Sequence, residues 1–417
     1  MGPQPRQRLY TTRKAYGRLL TDVATGRANR GEGDLESLEA GVAAFVGARF
    51  AAAAPMARTG IYLALRALLP PTKRKVILSP YTISDVVNMV VCAGGEPVFA
   101  DIEAETGNID AGEVERLIDG NTGAVLATHF YGLACDVERI QRICALAGVA
   151  LIEDAAQAFG TRVHGRHVGS FGDAGVFSFG LFKNVTSFLG GMVVSGKQEV
   201  IEHVRNGQAG RPFAPAGELL ARMANGAVND VATYPPVFGP LTFPIVRAAR
   251  LHGVEAVERQ FAFDRDPRIK QTIPERYLHR MTPAQARIVL PQIDSVDSNA
   301  AIRIRAAQLY HEGLSGIADL GLPPMRLDGS HTYQYYAIRC PDREALVTFA
   351  LGRGRDIAVS HHRNCAEMDC FAAFARVCSN AARAAREVVY LPTYPGYGEA
   401  EVAKNISVIR EFFGAAR

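Results

Sequence analysis

Four side chains between residues 154 and 183 carry groups that could act together. Lys183 sits in the Gly- and Ser-containing loop FSFGLFKNVTSFLGG, between two apolar runs. A lysine flanked by phenylalanines at such a turn is partly desolvated, which lowers its pKa from about 10.4 towards the working range. A neutral amine can condense with a carbonyl as a Schiff base. Asp154 ends the apolar run VALIED, where a carboxylate can point into a cleft and keep a pyridine nitrogen protonated. Gln157 can donate to a phenolate oxygen, and Ser178 can reach a phosphate. Amine, carboxylate and phosphate-binding hydroxyl are the set that pyridoxal phosphate (PLP) requires. Taken singly, each has a plain explanation: a strand-terminal Asp is more often a cap, and a loop lysine is usually a solvated charge. The order and spacing of the set carry the assignment, with Lys183 as the Schiff-base lysine and Asp154 as partner of the ring nitrogen.

These groups need a frame. The run DLESLEAGVAAFVGARF predicts a helix over 34–50 with Asp34 as N-cap, and a second helix runs from Thr59 to Leu69, stopped by Pro70 and Pro71. Short β-rich runs follow at 76–79, 97–100, 124–130 and 149–154. Helical stretches at about 84–93, 111–118 and 136–147 separate them. This alternation is the mark of an α/β fold, a mainly parallel sheet between helices, with catalytic groups at the carboxyl ends of strands. Asp154 falls at such an end. VFSF and GGMVVSG, flanking Lys183, predict two more strands. Regularity stops between 206 and 273, a proline-rich stretch centred on YPPVFGPLTFPIV, and resumes near Thr282 with a long helix stepped at Pro291. A smaller α+β domain follows, with strand YQYYAIR, helix DREALVTFALGR and closing helix EAEVAKNISVIREFF. The expected division is a large domain over 1–274, with an atypical insertion at 206–273, and a small domain over 275–417.

The 417 residues are 48% hydrophobic and carry a formal charge of only +4, with no basic arm, which gives no case for nucleic acid. Seven cysteines without a CxxC pair argue against a disulfide framework or a zinc ribbon, so a reducing, cytoplasmic setting is expected. The start MGPQPRQRLYTTRK lacks an apolar stretch behind it, and no run approaches the roughly 20 apolar residues of a membrane helix. His361 and His362 with Cys365 and Cys370 match no standard metal spacing, so no metal is expected. His164 and His167 fall in a hairpin and read as surface residues. Arginines in the cleft would suit a diphosphate.

The segment VALIEDAAQAFGTRVHGRHVGSFGDAGVFSFGLFKNVTSFLGGMVVS resembles the core motif of the DegT/DnrJ/EryC1/StrS aminotransferases, which aminate keto-sugars and keto-cyclitols. The resemblance implies the type I fold of PLP-dependent transferases, with a seven-stranded sheet and a small C-terminal domain. It also implies Asp154 and Gln157 at the cofactor ring, Ser178 at the phosphate and Lys183 as the aldimine lysine. Likeness extends through KVILSPYTISDVVNMVVCAGGEPVFADIEAETGNID, THFYGLACDVERI, RMTPAQARIVLPQID and YLPTYPG. A homodimer with shared active sites, an amino donor (expected to be L-glutamate) and a nucleotide-linked keto-sugar acceptor follow from it. Tyr131, Arg280, His361 and His362 become candidate substrate residues.

Departures from that pattern set this chain apart. The phosphate turn Ser-Gly-Thr is here Arg58-Thr59-Gly60, leaving the backbone amides of Thr59 and Gly60 as phosphate ligands. Ile83 stands where many members place an aromatic over the ring, with Tyr81 as a substitute, and Leu278 replaces a phosphate-binding asparagine two residues before Arg280. Other readings within reach are a PLP enzyme acting on a cyclitol or lipid-linked substrate, a lyase or dehydratase, and an inactive binding protein on this fold. The 206–273 stretch reads as a surface excursion or, given the apolar bulk beside Arg247 and Arg250, as a lid or a weak membrane-surface contact through 232–250.

Overall fold

A computed structural model describes residues 2–9, 13–252 and 267–415. Its centre is a seven-stranded sheet: β1 (Phe50–Ala54), β2 (Lys75–Leu78), β3 (Glu96–Phe99), β4 (Thr122–Thr128), β5 (Ala150–Asp154), β6 (Ala174–Ser178) and β7 (Gly191–Ser195). The spatial order is β1-β7-β6-β5-β4-β2-β3. Neighbours from β6 to β3 pair in parallel, and β7 runs antiparallel to both β6 and β1. Every residue of β4 and β7 is buried, as expected where helices cover both faces. On one face α3 (Ala57–Leu68) and α4 (Ser84–Cys92) pack through Leu63, Leu65, Val87 and Val90; on the other lie α5 (Ala111–Leu117) and α6 (Val137–Ala147). Asp110 caps α5 by accepting from Gly112 and Glu113 N–H, and α6 closes at Gly148 in the left-handed conformation.

The first helix of the sequence reading is shorter than expected. It spans Glu32–Val46 and stops at Gly47, φ 77°, whose N–H returns to Ala43. Phe50 then opens β1, a poly-alanine strand without the β-branched signature that would announce it. Asp34 is not the cap: Gly31 holds that place, and Asp34 pairs with Arg287 from inside the first turn.

The smaller unit is a three-stranded antiparallel sheet of Tyr336–Arg339, Val388–Leu391 and Ala358–Val359. It packs on the helices Val296–Leu314, Arg343–Gly352 and Glu399–Ala415 around Tyr310, Leu346, Val389 and Val402. Residues 281–296 contribute Met281, Ala286, Val289, Ile293 and Val296 to the large unit's core. The step at Pro291 is a 3-10 turn, Leu290–Ser295.

Within 206–273 the described residues are mostly helical. A 17-residue helix, Ala216–Ala232, lies against the large unit through Leu219 and Met223. A π turn, Phe238–Thr242, leads into the helix Phe243–Leu251, and the prolines of YPPVFGPLTFPIV stand at Pro235, Pro236, Pro240 and Pro244, at the starts of short pieces or inside the π turn. Phe238 and Phe243 are buried against the smaller unit, whereas Tyr234, Leu241 and Ile245 are exposed. No helix among the described residues is long and apolar enough to cross a membrane.

Candidate active site

At the carboxyl ends of β5 and β6 lies a cleft of about 1240 Å³, open mouth included. Asp154 and Ser178, the last residues of those strands, line it, and so do Gln157, Lys183 and Ile83. The register of a parallel sheet brings these strand ends together.

Lys183 is held by a constrained loop. Phe182 before it and Phe188 after it take positive φ, 61° and 68°, which is costly for residues with a Cβ. The Phe182 carbonyl accepts from Gln334 Nε2 at 3.0 Å, and Asn184 donates to the Phe159 carbonyl at 3.0 Å. Burial and the nearby Arg58 guanidinium bring the Lys183 amine down to about 8, against the opposing pull of Asp154. Burial pushes Asp154 up; the Ala156 N–H at 3.1 Å and the nearby Lys183 partly counter it.

A buried pair stands behind Asp154. Glu153, fully buried, accepts from the N–H groups of Gly169, Phe171 and Gly172 at 2.7 Å each and meets His129 Nε2 at 3.0 Å. The Cys135 N–H donates to His129 Nδ1 at 3.2 Å, so the ring proton sits on Nε2, donating to Glu153, and the imidazole is neutral. The His129 N–H donates to the Asp154 carbonyl at 3.0 Å, tying the pair to the strand end. Sequence reading gave Glu153 no role, since alternation along a strand does not reveal what a buried carboxylate will meet.

Gln157 bridges the units. Its Oε1 accepts the Tyr131 N–H at 3.0 Å, and its Nε2 donates to His362 Nε2 at 3.4 Å. That leaves the His362 proton on Nδ1, facing the Tyr390 hydroxyl at 2.8 Å. Burial depresses both histidines, His361 to about 4, so both are neutral near pH 7. Both line the cleft, brought there because Arg363–Asn364 pairs with Tyr81–Thr82.

The other expected residues fall elsewhere. Tyr81 and Tyr131 lie behind the wall, Tyr131 donating to Tyr81 at 2.9 Å, and Ile83 faces the cleft in their stead. The Thr59 hydroxyl donates to the Tyr277 carbonyl at 2.8 Å, away from the cleft. Gly60 packs on the sheet, where an added Cβ would stand 3.0 Å from Val176 and Val193. It is Met56, Ala57 and Arg58, at the start of α3, that line the cleft. Arg280 points outward, paired with Glu32 at 3.1 Å and stacked on Phe213. His164 is exposed, but His167 is buried against Phe45, unlike the surface position expected. Among the lining residues that sequence reading passed over are Phe130, Gln334, Tyr335 and Arg222.

A profile of the DegT/DnrJ/EryC1/StrS aminotransferase family matches residues 18–410. The chain belongs to this family. Among curated DegT/DnrJ/EryC1/StrS-like relatives, GDP-perosamine synthase of Vibrio cholerae is 39% identical over 168 residues, 40% of this chain and 46% of that protein, so the match spans less than half of it. The spore coat polysaccharide biosynthesis protein SpsC of Bacillus subtilis is 28% identical over 314 residues, 75% of this chain and 70% of that protein. Among solved structures, Helicobacter pylori PseC, an aminotransferase involved in pseudoaminic acid biosynthesis, superposes with TM-score 0.76 at 18% identity, covering 99% of this chain and 100% of that one. At that identity the likeness bears on the fold, which is type I of the PLP-dependent transferases in this family.

Proposed function

We propose that the chain is a PLP-dependent aminotransferase that moves an amino group from an amino acid, taken here as L-glutamate, to a nucleotide-linked keto-sugar. The observation that carries this reading is the meeting of a desolvated Lys183 amine with the strand-end carboxylate of Asp154 in one cleft. The family and the names of its curated relatives support the sugar acceptor.

The residues present fit the cofactor. Helix α3 has Met56 at its N-cap and no side-chain cap, so its first N–H groups are available to a phosphate, and Ser178 lines the same cleft. Asp154 would hold the ring nitrogen, Gln157 would donate to the ring oxygen, and Ile83 would cover a ring face. When bound, PLP supplies a carbonyl for the amine and a ring that stores an electron pair released at the substrate's α-carbon.

The chain's own residues supply the proton traffic and the shielding. A lysine whose amine titrates near 8 keeps a usable fraction neutral at neutral pH, and Lys183 Nζ can take the donor's α-proton in one half of the reaction and deliver a proton to the carbon being aminated in the other. Phe130, Phe182 and Phe188 exclude water around that amine. The neutral His361 and His362 offer hydrogen bonds without adding charge. We further propose a homodimer, supported by the exposed Val228, Val231, Tyr234, Leu241 and Ile245; sedimentation of the purified chain tests it.

The deciding test is visible absorption. Purified protein given PLP should develop a band that L-glutamate bleaches and that Lys183→Ala lacks. A protein that binds no PLP would overturn the proposal.

A further inference from the structure

The described residues of the 206–273 stretch place one charged side chain in the cleft. Helix Ala216–Ala232 packs through Leu219, Met223 and Gly226, spaced i, i+4, i+7, and Gly226 sits so close to Phe188 that an added Cβ would stand 2.8 Å from its ring. Arg222 lies on this same packed face. A guanidinium among apolar contacts is costly unless it is paired or faces water or a ligand. Glu218 pairs with it, but one carboxylate oxygen, Oε1, takes both Nε, at 3.2 Å, and Nη2, at 2.5 Å. Nη1 makes no hydrogen bond among the described residues, and the side chain lines the cleft. The other oxygen of Glu218 turns to His279 at 3.6 Å.

We propose that Arg222 is the receptor for the phosphoryl groups of the acceptor, which makes the segment 206–273 a determinant of acceptor specificity. This rests on the aminotransferase reading above and deepens it. The guanidinium's planar fork suits phosphoryl oxygens and can engage two at once. Among the described residues, two guanidiniums line the cleft, Arg58 and Arg222. Arg58 is tied to Asp85 and acts on the Lys183 amine, which leaves Arg222 as the one with open donors for an anion away from that amine's partners. A long anionic tail reaches it. Glu218 holds the guanidinium in place until phosphoryl oxygens take up its open donors.

The test separates the two ligands on the PLP-loaded protein. Calorimetric titration with UDP, GDP, CDP, TDP and pyrophosphate measures anion binding, and the absorption change with L-glutamate measures the donor reaction. In wild type at least one nucleoside diphosphate should bind. Arg222→Gln should weaken that binding roughly 10- to 100-fold, with the glutamate reaction and the melting temperature unchanged. Arg222→Lys, keeping charge without the fork, should recover part of the loss. The proposal is overturned if no diphosphate binds wild type, if Arg222→Gln binds as wild type does, or if both ligands lose in equal proportion. Failure of the aminotransferase reading has a different sign: glutamate leaves the wild-type spectrum unmoved.

Discussion

Removing the Lys183 amine should make the cofactor-free protein more stable at neutral pH and less responsive to base. The folded-state value lies near 8 against an ordinary 10.5, so between those values the unfolded chain binds a proton that the folded chain has released. Stability then rises with pH through that window and levels off above about 10.5; below about 8 the full penalty of holding a charged, desolvated amine remains. At about 1.4 kcal/mol per pH unit the penalty is about 3 kcal/mol. Because Lys183 keeps some access to water through the cleft, about half of that is the safer expectation. Urea unfolding of apo wild type and apo Lys183→Met at pH 7 and pH 10 reads it directly. The variant should exceed wild type by about 1.5–3 kcal/mol at pH 7, and the gap should narrow to below about 1 kcal/mol at the higher pH. Comparing the two proteins cancels the other groups that titrate in the window. A gap that does not change with pH, or a variant weaker than wild type at pH 7, would refute the reasoning.

Glu153→Ala should cost about 3–5 kcal/mol in urea unfolding, since it strands the His129 Nε2–H and three backbone N–H donors in the core; a cost below 1 kcal/mol would show that water replaces the carboxylate. Asp154→Ala should slow the glutamate half-reaction about a thousandfold, from the loss of a charge that stabilises the protonated ring, while PLP absorption is retained; rates within tenfold of wild type would remove Asp154 from the ring-nitrogen role. Gly226→Val should force the helix off Phe188 and lower stability by about 1–3 kcal/mol; an unchanged melting temperature would mean that this contact yields freely.

Local chemistry determined much of this protein in advance. Apolar runs alternating with helical periods specify a covered parallel sheet, because each strand and helix must bury its own apolar surface whatever its neighbours are. For the same reason Asp154 and Ser178 were legible as strand-end residues, and Lys183 as a lysine held between two strands. What lay beyond reach depended on contacts between distant parts of the chain. Tyr81 and Ile83 both flank Thr82, yet Ile83 faces the cleft while Tyr81 is turned into a hydroxyl network with Tyr131 and Ser360. The Thr59 hydroxyl donates to the carbonyl of Tyr277, 218 residues away, a contact that no local pattern announces. Arg280 is drawn outward by Glu32, and Arg222 enters the cleft on a helix that the proline-rich composition of its segment obscured. Periodicity reports which face of an element is apolar; only the packed structure decides which partner a polar side chain on that element will meet.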